Sequence, residues 1–195
     1  VKNLIITDKE SFKKIKKKNQ NNKIKIFNNF ESLSKIFKNK VDYTMSSIVG
    51  IYGLEPTLKI IKFTKLIAIA NKESIICGWG LILKALKNSN TKFIPVDSEH
   101  FSIWYAIKNN SISNIDKIYL TASGGSLLNI PKQKFNILKI NQIVKHPNWQ
   151  MGRKISVDSS TLMNKVFEII EAKNMFNVNY NNLDILIHPK SYVHA

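Results

Sequence analysis

Short β-branched runs alternate with longer stretches of helical spacing along the first half of the chain. Leu4-Ile5-Ile6 reads as a strand and Glu10 to Lys18 as a polar helix. Ile24 to Phe27 reads as the next strand. Phe30, Leu33, Ile36 and Phe37 then fall at helical spacing. Tyr43 to Val49 forms a third run closed by Gly50, and a helix is expected near Glu55-Pro56 because proline suits a first helical turn. Lys65–Ala70 is a strand, Ser74–Leu86 a helix and Phe93–Val96 another strand. This βαβα rhythm with short connections predicts an α/β fold with a doubly wound parallel sheet, which binds ligands at the carboxyl ends of its strands.

Beyond residue 100 the pattern changes. Phe101–Lys108 reads as helix and Ile118–Leu120 as a strand running into Ser123-Gly124-Gly125. Residues 126–144 are poorly patterned. Ser159–Phe176 reads as one helix with Asp158 or Ser159 as its N-cap, and Ile185–Ile187 as a last strand. The change divides the chain into 1–96 and 97–195, with no internal repeat.

Composition changes this picture little. The formal charge of +17 raises a nucleic-acid partner, but 29 of the 30 basic residues are lysine. Residues 1–40 hold 12 lysines against Asp8, Glu10 and Glu31, over half of the net charge. The cluster from Lys13 to Lys18 lacks the arginines and interleaved aromatics that contact phosphates bidentately or stack on bases, so it reads as a solvated helix face. A basic nucleic-acid-binding module is the alternative that this charge keeps open. No apolar run is long enough to cross a bilayer, and the expected setting is cytoplasmic, of bacterial type. Cys77, the single cysteine, lies between apolar neighbours and is expected to be a buried, inert thiol.

Polar clusters follow the strands. Asn71-Lys72-Glu73 comes after one, Asp97-Ser98-Glu99-His100 after the next. In extended backbone Asp97 and Glu99 share a side, and paired carboxylates suit Mg²⁺ or Mn²⁺, although the pair reads equally as an acidic turn. Glu168 shares a helix face with Asn164 and Lys165, as a third ligand or as an i,i+3 ion pair with Lys165. Ser159, placed at a helix start, and Ser123-Gly124-Gly125 could cradle an anion. The segment from His146 through Trp149 and Met151 to Gly152 has the composition of a lid, and Arg153, the only arginine, follows it. Lys72 could bind substrate hydroxyls or pair with a carboxylate. His188 and His194 could line a site or serve structure alone.

Taken in order, Ile48-Val49-Gly50, Ala70-Asn71-Lys72-Glu73-Ser74, Pro95-Val96-Asp97-Ser98-Glu99-His100, Thr121-Ala122-Ser123-Gly124-Gly125, the run from His146 to Ser159, Met163-Asn164-Lys165 and Ile187-His188-Pro189-Lys190-Ser191 closely resemble the 1-deoxy-D-xylulose 5-phosphate reductoisomerase family. The resemblance is strong from about residue 41 to 195. It implies a Rossmann-like NADPH-binding part followed by part of an α+β catalytic domain. It implies isomerisation and NADPH-dependent reduction of a sugar phosphate, a divalent metal, and a homodimer at full length, without nucleic acid or membrane.

By matching motif the resemblance makes Asp97, Glu99 and Glu168 metal ligands, and counts Lys72 and His146 with them as catalytic. Lys72 and Ser98 would orient the hydroxylated substrate. Ser123, His146, Ser159, Asn164 and Lys165 would surround its phosphate, Trp149 and Met151 would close the lid, and Asn71, Glu73 and Gly152 would face NADPH. The sequence departs from the family at Ser126-Leu127, where Pro-Phe is usual, at Val166, where a small residue is usual, and at Lys190. No glycine precedes Gly50, so the family's glycine-rich phosphate loop is not in this chain. These 195 residues are therefore expected to be part of a longer enzyme and inactive alone. A degenerate, non-catalytic copy of the fold is the further alternative.

Overall fold

The β-branched runs become strands, and the helices between them serve as crossovers that let paired strands run parallel. The computed structural model describes residues 1–19, 23–108, 114–144 and 152–195. Among these, strands β1 (Asn3–Ile5), β2 (Lys25–Phe27), β3 (Val41–Ser46), β4 (Thr64–Ile69), β5 (Lys92–Pro95), β6 (Ile118–Ala122) and β7 (Leu183–Ile187) alternate with helices. The helices are α1 (Lys9–Lys18), α2 (Leu33–Ile36), α3 (Leu54–Ile61), α4 (Lys72–Ser89), α5 (Ser98–Ile107), α6 (Ile140–Ile143), α7 (Arg153–Ser160) and α8 (Met163–Phe176). The strands form three ladders, β1-β2, β3-β4-β5 and β6-β7. β1 and β2, β3 and β4, and β6 and β7 run parallel.

The chain forms two compact units. The first comprises Val1–Ser74 and Gly80–Phe93, the second Ile75–Trp79 and Ile94–Ala195. In the first, Ile61, Ile67 and Ile82 are fully buried. Burial of an aliphatic side chain of this size stabilises by about 1.5–3 kcal/mol. The register Val41↔Thr64 to Ser46↔Ile69 sets β3 beside β4, with α3 as the crossover. Pro56 occupies the first turn of α3, where its missing N–H costs nothing. The Thr91 hydroxyl lies 2.9 and 2.8 Å from the carbonyl oxygens of Ile61 and Thr64, tying the end of α3 to the start of β4.

In the second unit β6 and β7 pair from Ile118↔Leu183 to Ala122↔Ile187. Ile103 of α5, Ile118 and Leu120 of β6, Ala172 of α8 and Leu183 of β7 share one core. That core fixes α5 and α8 side by side, and the candidate ligands stand on those two helices.

Three local expectations are corrected. The helix expected over 159–176 is two helices, α7 and α8, separated at Leu162, which has φ +62°. Leucine rarely adopts this conformation, so nothing in the residue types announces the break. Ser159 therefore lies in the last turn of α7, not at a helix start, and the N-cap of α8 is Leu162. Second, extended backbone ends at Asp97, the N-cap of α5, and Glu99 already lies in the first turn of that helix, so the two do not share one extended stretch. Third, Cys77 is exposed. Successive residues on a helix point about 100° apart, so Ile75 is buried while Cys77 faces out.

Candidate metal centre

Asp97 leaves β5 and enters α5 with a side chain that does not cap its own helix. Glu99 follows in the first turn, and its Oε2 accepts a 2.7 Å hydrogen bond from the Ser98 hydroxyl. Glu168 comes from the middle of α8 and is 1% exposed. Asp97, Glu99 and Glu168 each offer an oxygen within 4.8 Å of the others. Metal–oxygen distances of about 2.0–2.1 Å put adjacent octahedral ligands about 3 Å apart and opposite ones about 4 Å apart, so a slight closing of this set admits one Mg²⁺-sized ion. The donors are all carboxylate oxygens, which suits a hard cation.

Lys165 stands inside this group. Its ammonium pairs with Glu99 and with Glu168 Oε2, while the Asn164 side-chain amide donates to Glu168 Oε1. Three carboxylates against one ammonium leave an excess of two negative charges, which a divalent cation neutralises. The i,i+3 pairing of Lys165 with Glu168 is thus real, but buried and joined to Glu99, so it accompanies the three-carboxylate set and does not replace it. The partnership of Lys165 with Glu99, 66 residues away, is the one that sequence spacing did not disclose.

Burial pushes the Glu99 carboxyl up, but the Lys165 ammonium and the Ser98 hydroxyl more than offset it, leaving the group below its ordinary 4.5. A depressed carboxylate stabilises the fold above its unfolded value, and that contribution is lost as pH falls through the folded one. Acid unfolding monitored by circular dichroism from pH 6 to pH 2 is therefore expected to show a steeper loss below about pH 4.5 in the native chain than in Glu99→Gln. Identical acid slopes would count against the pairing.

The loop Ser123-Gly124-Gly125 leaves β6 and lies against the end of α7. Gly125 has φ +69°, and a Cβ there would collide with the Ser159 carbonyl and lie 3.0 Å from Ser160 Cα. The loop that carries Ser123 thus packs on Ser159 through a backbone contact that only glycine permits. Ser126 donates to the Ile143 carbonyl at 2.7 Å and Leu127 is buried, so this departure from the family pattern is accommodated. Val166 is 43% exposed, so its branched side chain faces away from the packed side of α8.

In the first unit, Asn71 caps α4. Its oxygen accepts from the Ser74 N–H, and its amide donates to the carbonyls of Ile48 and Gly50. At 4% exposure this side chain shapes the 48–50 loop. Lys72 and Glu73 follow in the first turn of α4, both half-buried. Gly152 is the N-cap of α7, and Arg153 is exposed. His146, Trp149 and Met151 lie outside the described residues. His188 serves a turn, its Nε2 accepting from the Tyr192 N–H at 3.0 Å. The backbone at His194 accepts from the Thr121 N–H. His100 and Glu171, both fully buried beside Asp97, were not singled out from sequence, although each sits three residues after a ligand on the same helix.

Known proteins place this geometry in a lineage. The 1-deoxy-D-xylulose 5-phosphate reductoisomerase family model matches residues 1–79, and the model of that enzyme's C-terminal domain matches 93–176. A 1-deoxy-D-xylulose 5-phosphate reductoisomerase of Pelagibacter ubique (strain HTCC1062) is 61% identical over all of the chain and 51% of its own length. That of Clostridium novyi (strain NT) is 45% identical over 97% of the chain and 50% of its own length. A crystal structure of DOX-P reductoisomerase with NADPH, fosmidomycin and magnesium superposes at a TM-score of 0.85 and 35% identity, covering 98% of this chain and 50% of the other. The Zymomonas mobilis enzyme with NADPH gives 0.82 and 32%, covering 99% and 50%. The chain spans about half the length of the curated relatives it matches. Both family models, which together take in most of its residues, and the 61% identity along its whole length assign it to one lineage: the chain belongs to the 1-deoxy-D-xylulose 5-phosphate reductoisomerase family.

Proposed function

We propose that the full-length protein containing this chain rearranges 1-deoxy-D-xylulose 5-phosphate and reduces the resulting aldehyde with NADPH, giving 2-C-methyl-D-erythritol 4-phosphate. The observation that carries this reading is the meeting of Asp97, Glu99 and Glu168 from two helices around one point. Family membership and the NADPH and magnesium held by the similar solved structures support it. Residues 1–96 form the nucleotide-binding part and 97–195 the metal- and substrate-binding part.

In this reading Asp97, Glu99 and Glu168 hold Mg²⁺ or Mn²⁺. When bound, the cation supplies Lewis acidity to the substrate's carbonyl and hydroxyl oxygens. Before ligand binds, Lys165 lies among the carboxylates, where its ammonium limits their mutual repulsion and keeps Glu99 ionised. Asn164 fixes the rotamer of Glu168 through its amide. By matching motif Ser123, His146, Ser159, Asn164 and Lys165 are assigned to the phosphate end, where the loop carrying Ser123 packs through Gly125 against Ser159. Lys72 and Ser98 orient the hydroxylated chain, Trp149 and Met151 exclude water, and Glu73 and the Gly152 backbone lie toward NADPH. Asn71 contributes there by holding the 48–50 loop.

The test is substrate-dependent NADPH oxidation by the full-length protein, with and without a chelator. Turnover that chelation abolishes and Mg²⁺ or Mn²⁺ restores is expected. The 195 residues alone are expected to show little, because the relatives use about twice this length. Chelator-insensitive turnover, or none from well-folded full-length protein, would count against the reading and favour a degenerate copy.

A further inference from the structure

We propose that His100 and Glu171 form a bracket behind the candidate ligands, with His100 as the positioning residue that ties the Asp97-bearing turn of α5 to the Glu168 backbone. This rests on the reading of Asp97, Glu99 and Glu168 as cation ligands.

His100 is 0% exposed and lies one turn along α5 from Asp97. Its Nε2 is 2.9 Å from the backbone carbonyl of Glu168, 68 residues away. A carbonyl oxygen only accepts, so Nε2 carries the proton and donates. Nδ1 lies 3.9 Å from Asp97 Oδ2, beyond hydrogen-bond distance, so the Glu168 carbonyl is the bonded partner that carries the bracket. One imidazole therefore touches the backbone of one ligand residue and faces the carboxylate of another. Glu171, 1% exposed and one turn beyond Glu168 on α8, offers an oxygen within 4.8 Å of ligand atoms of both Asp97 and His100. The Phe176 ring stands 6.5 Å from the imidazole between centroids and restricts its tilt.

The geometry has a mechanical consequence. Asp97 and Glu168 sit on different helices, and a slip of α8 along α5 by one residue, about 1.5 Å, would move them out of common reach of a small ion. The bond from His100 to the Glu168 carbonyl opposes that slip at the ligand itself. A pair of helices that needed only to pack would place an apolar residue at such a position, because buried polar groups cost stability unless they are partnered. Groups behind metal ligands act in this way generally, and their loss lowers metal affinity about 10–100-fold.

Mn²⁺ is titrated into the full-length protein, with the free ion followed by electron paramagnetic resonance, for wild type, Asp97→Asn, His100→Leu, His100→Gln and Glu171→Gln. Wild type is expected to bind one ion and Asp97→Asn to lose it. His100→Leu should weaken binding at least tenfold, and His100→Gln, whose amide reaches toward the same carbonyl, should recover most of that. The Mn²⁺ concentration for half-maximal NADPH oxidation should rise in step, with kcat at saturating Mn²⁺ within a few-fold of wild type. Folded His100→Leu and Glu171→Gln with wild-type Mn²⁺ affinity would overturn the bracket. So would a second bound ion that Glu171→Gln removes, since His100 and Glu171 would then be ligands themselves. Should His100→Leu fail to fold, the isosteric Glu171→Gln decides: weaker binding upholds the bracket and unchanged affinity overturns it. Absence of Mn²⁺ binding by wild type would instead overturn the ligand reading, and the bracket with it.

Discussion

Glu168→Gln in the full-length protein is expected to lower turnover at saturating Mg²⁺ by about a thousandfold or more while leaving the fold intact. The substitution keeps the side chain's shape and an oxygen to accept from Asn164. It removes one of three converging negative charges from a site that is 1% exposed at this residue. Lewis-acid stabilisation of a reaction is worth several kcal/mol, and about 4 kcal/mol corresponds to a thousandfold in rate. NADPH oxidation measured beside a thermal melt checks this. A folded Glu168→Gln protein within tenfold of wild type would show that α8 supplies no ligand.

The second large effect concerns stability without metal. Lys165→Met is expected to destabilise the metal-free protein by about 3–5 kcal/mol, the usual cost of leaving a buried ionic partner uncompensated. The side chains of Lys165, Glu99 and Glu168 are 8%, 13% and 2% exposed, so water replaces little of the lost ammonium. Added Mg²⁺ should then stabilise Lys165→Met more than it stabilises wild type, because the ion neutralises charge that Lys165 otherwise balances, and binding to the native state alone adds stability by mass action. Urea melts with Mg²⁺ and with chelator measure both. If Lys165→Met unfolds at the wild-type urea concentration in chelator, the ammonium is not the carboxylates' counter-charge.

The elements were legible in sequence wherever hydrophobic period and length agreed. β4 and α4 are examples, with Ile67, Ile69 and Ile82 buried as their spacing requires. The two-helix character of 153–176 was not, because Leu162 is no helix breaker and nothing in its residue type announces its left-handed backbone. The ligand set was readable only in halves. Asp97 and Glu99 are neighbours in sequence, whereas Glu168 joins them through the shared core of Ile103, Leu120 and Ala172, a long-range fact that no local pattern carries. Motif order supplied the missing link. Lys165 shows the limit of helical spacing: it paired Lys165 with Glu168 correctly and could not disclose Glu99. Asn71 adds a structural role that motif order did not carry, since its side chain joins the α4 N-terminus to the 48–50 loop.

The central claim is that three carboxylates from α5 and α8 close on a single cation. Crystals of the full-length protein grown with Mn²⁺ and measured near the manganese absorption edge would locate the ion by its anomalous scattering. One anomalous peak bonded to oxygens of Asp97, Glu99 and Glu168 together is the expected result. A peak that omits Glu168, or one that lies elsewhere while these three carboxylates stay paired with Lys165 alone, would contradict it.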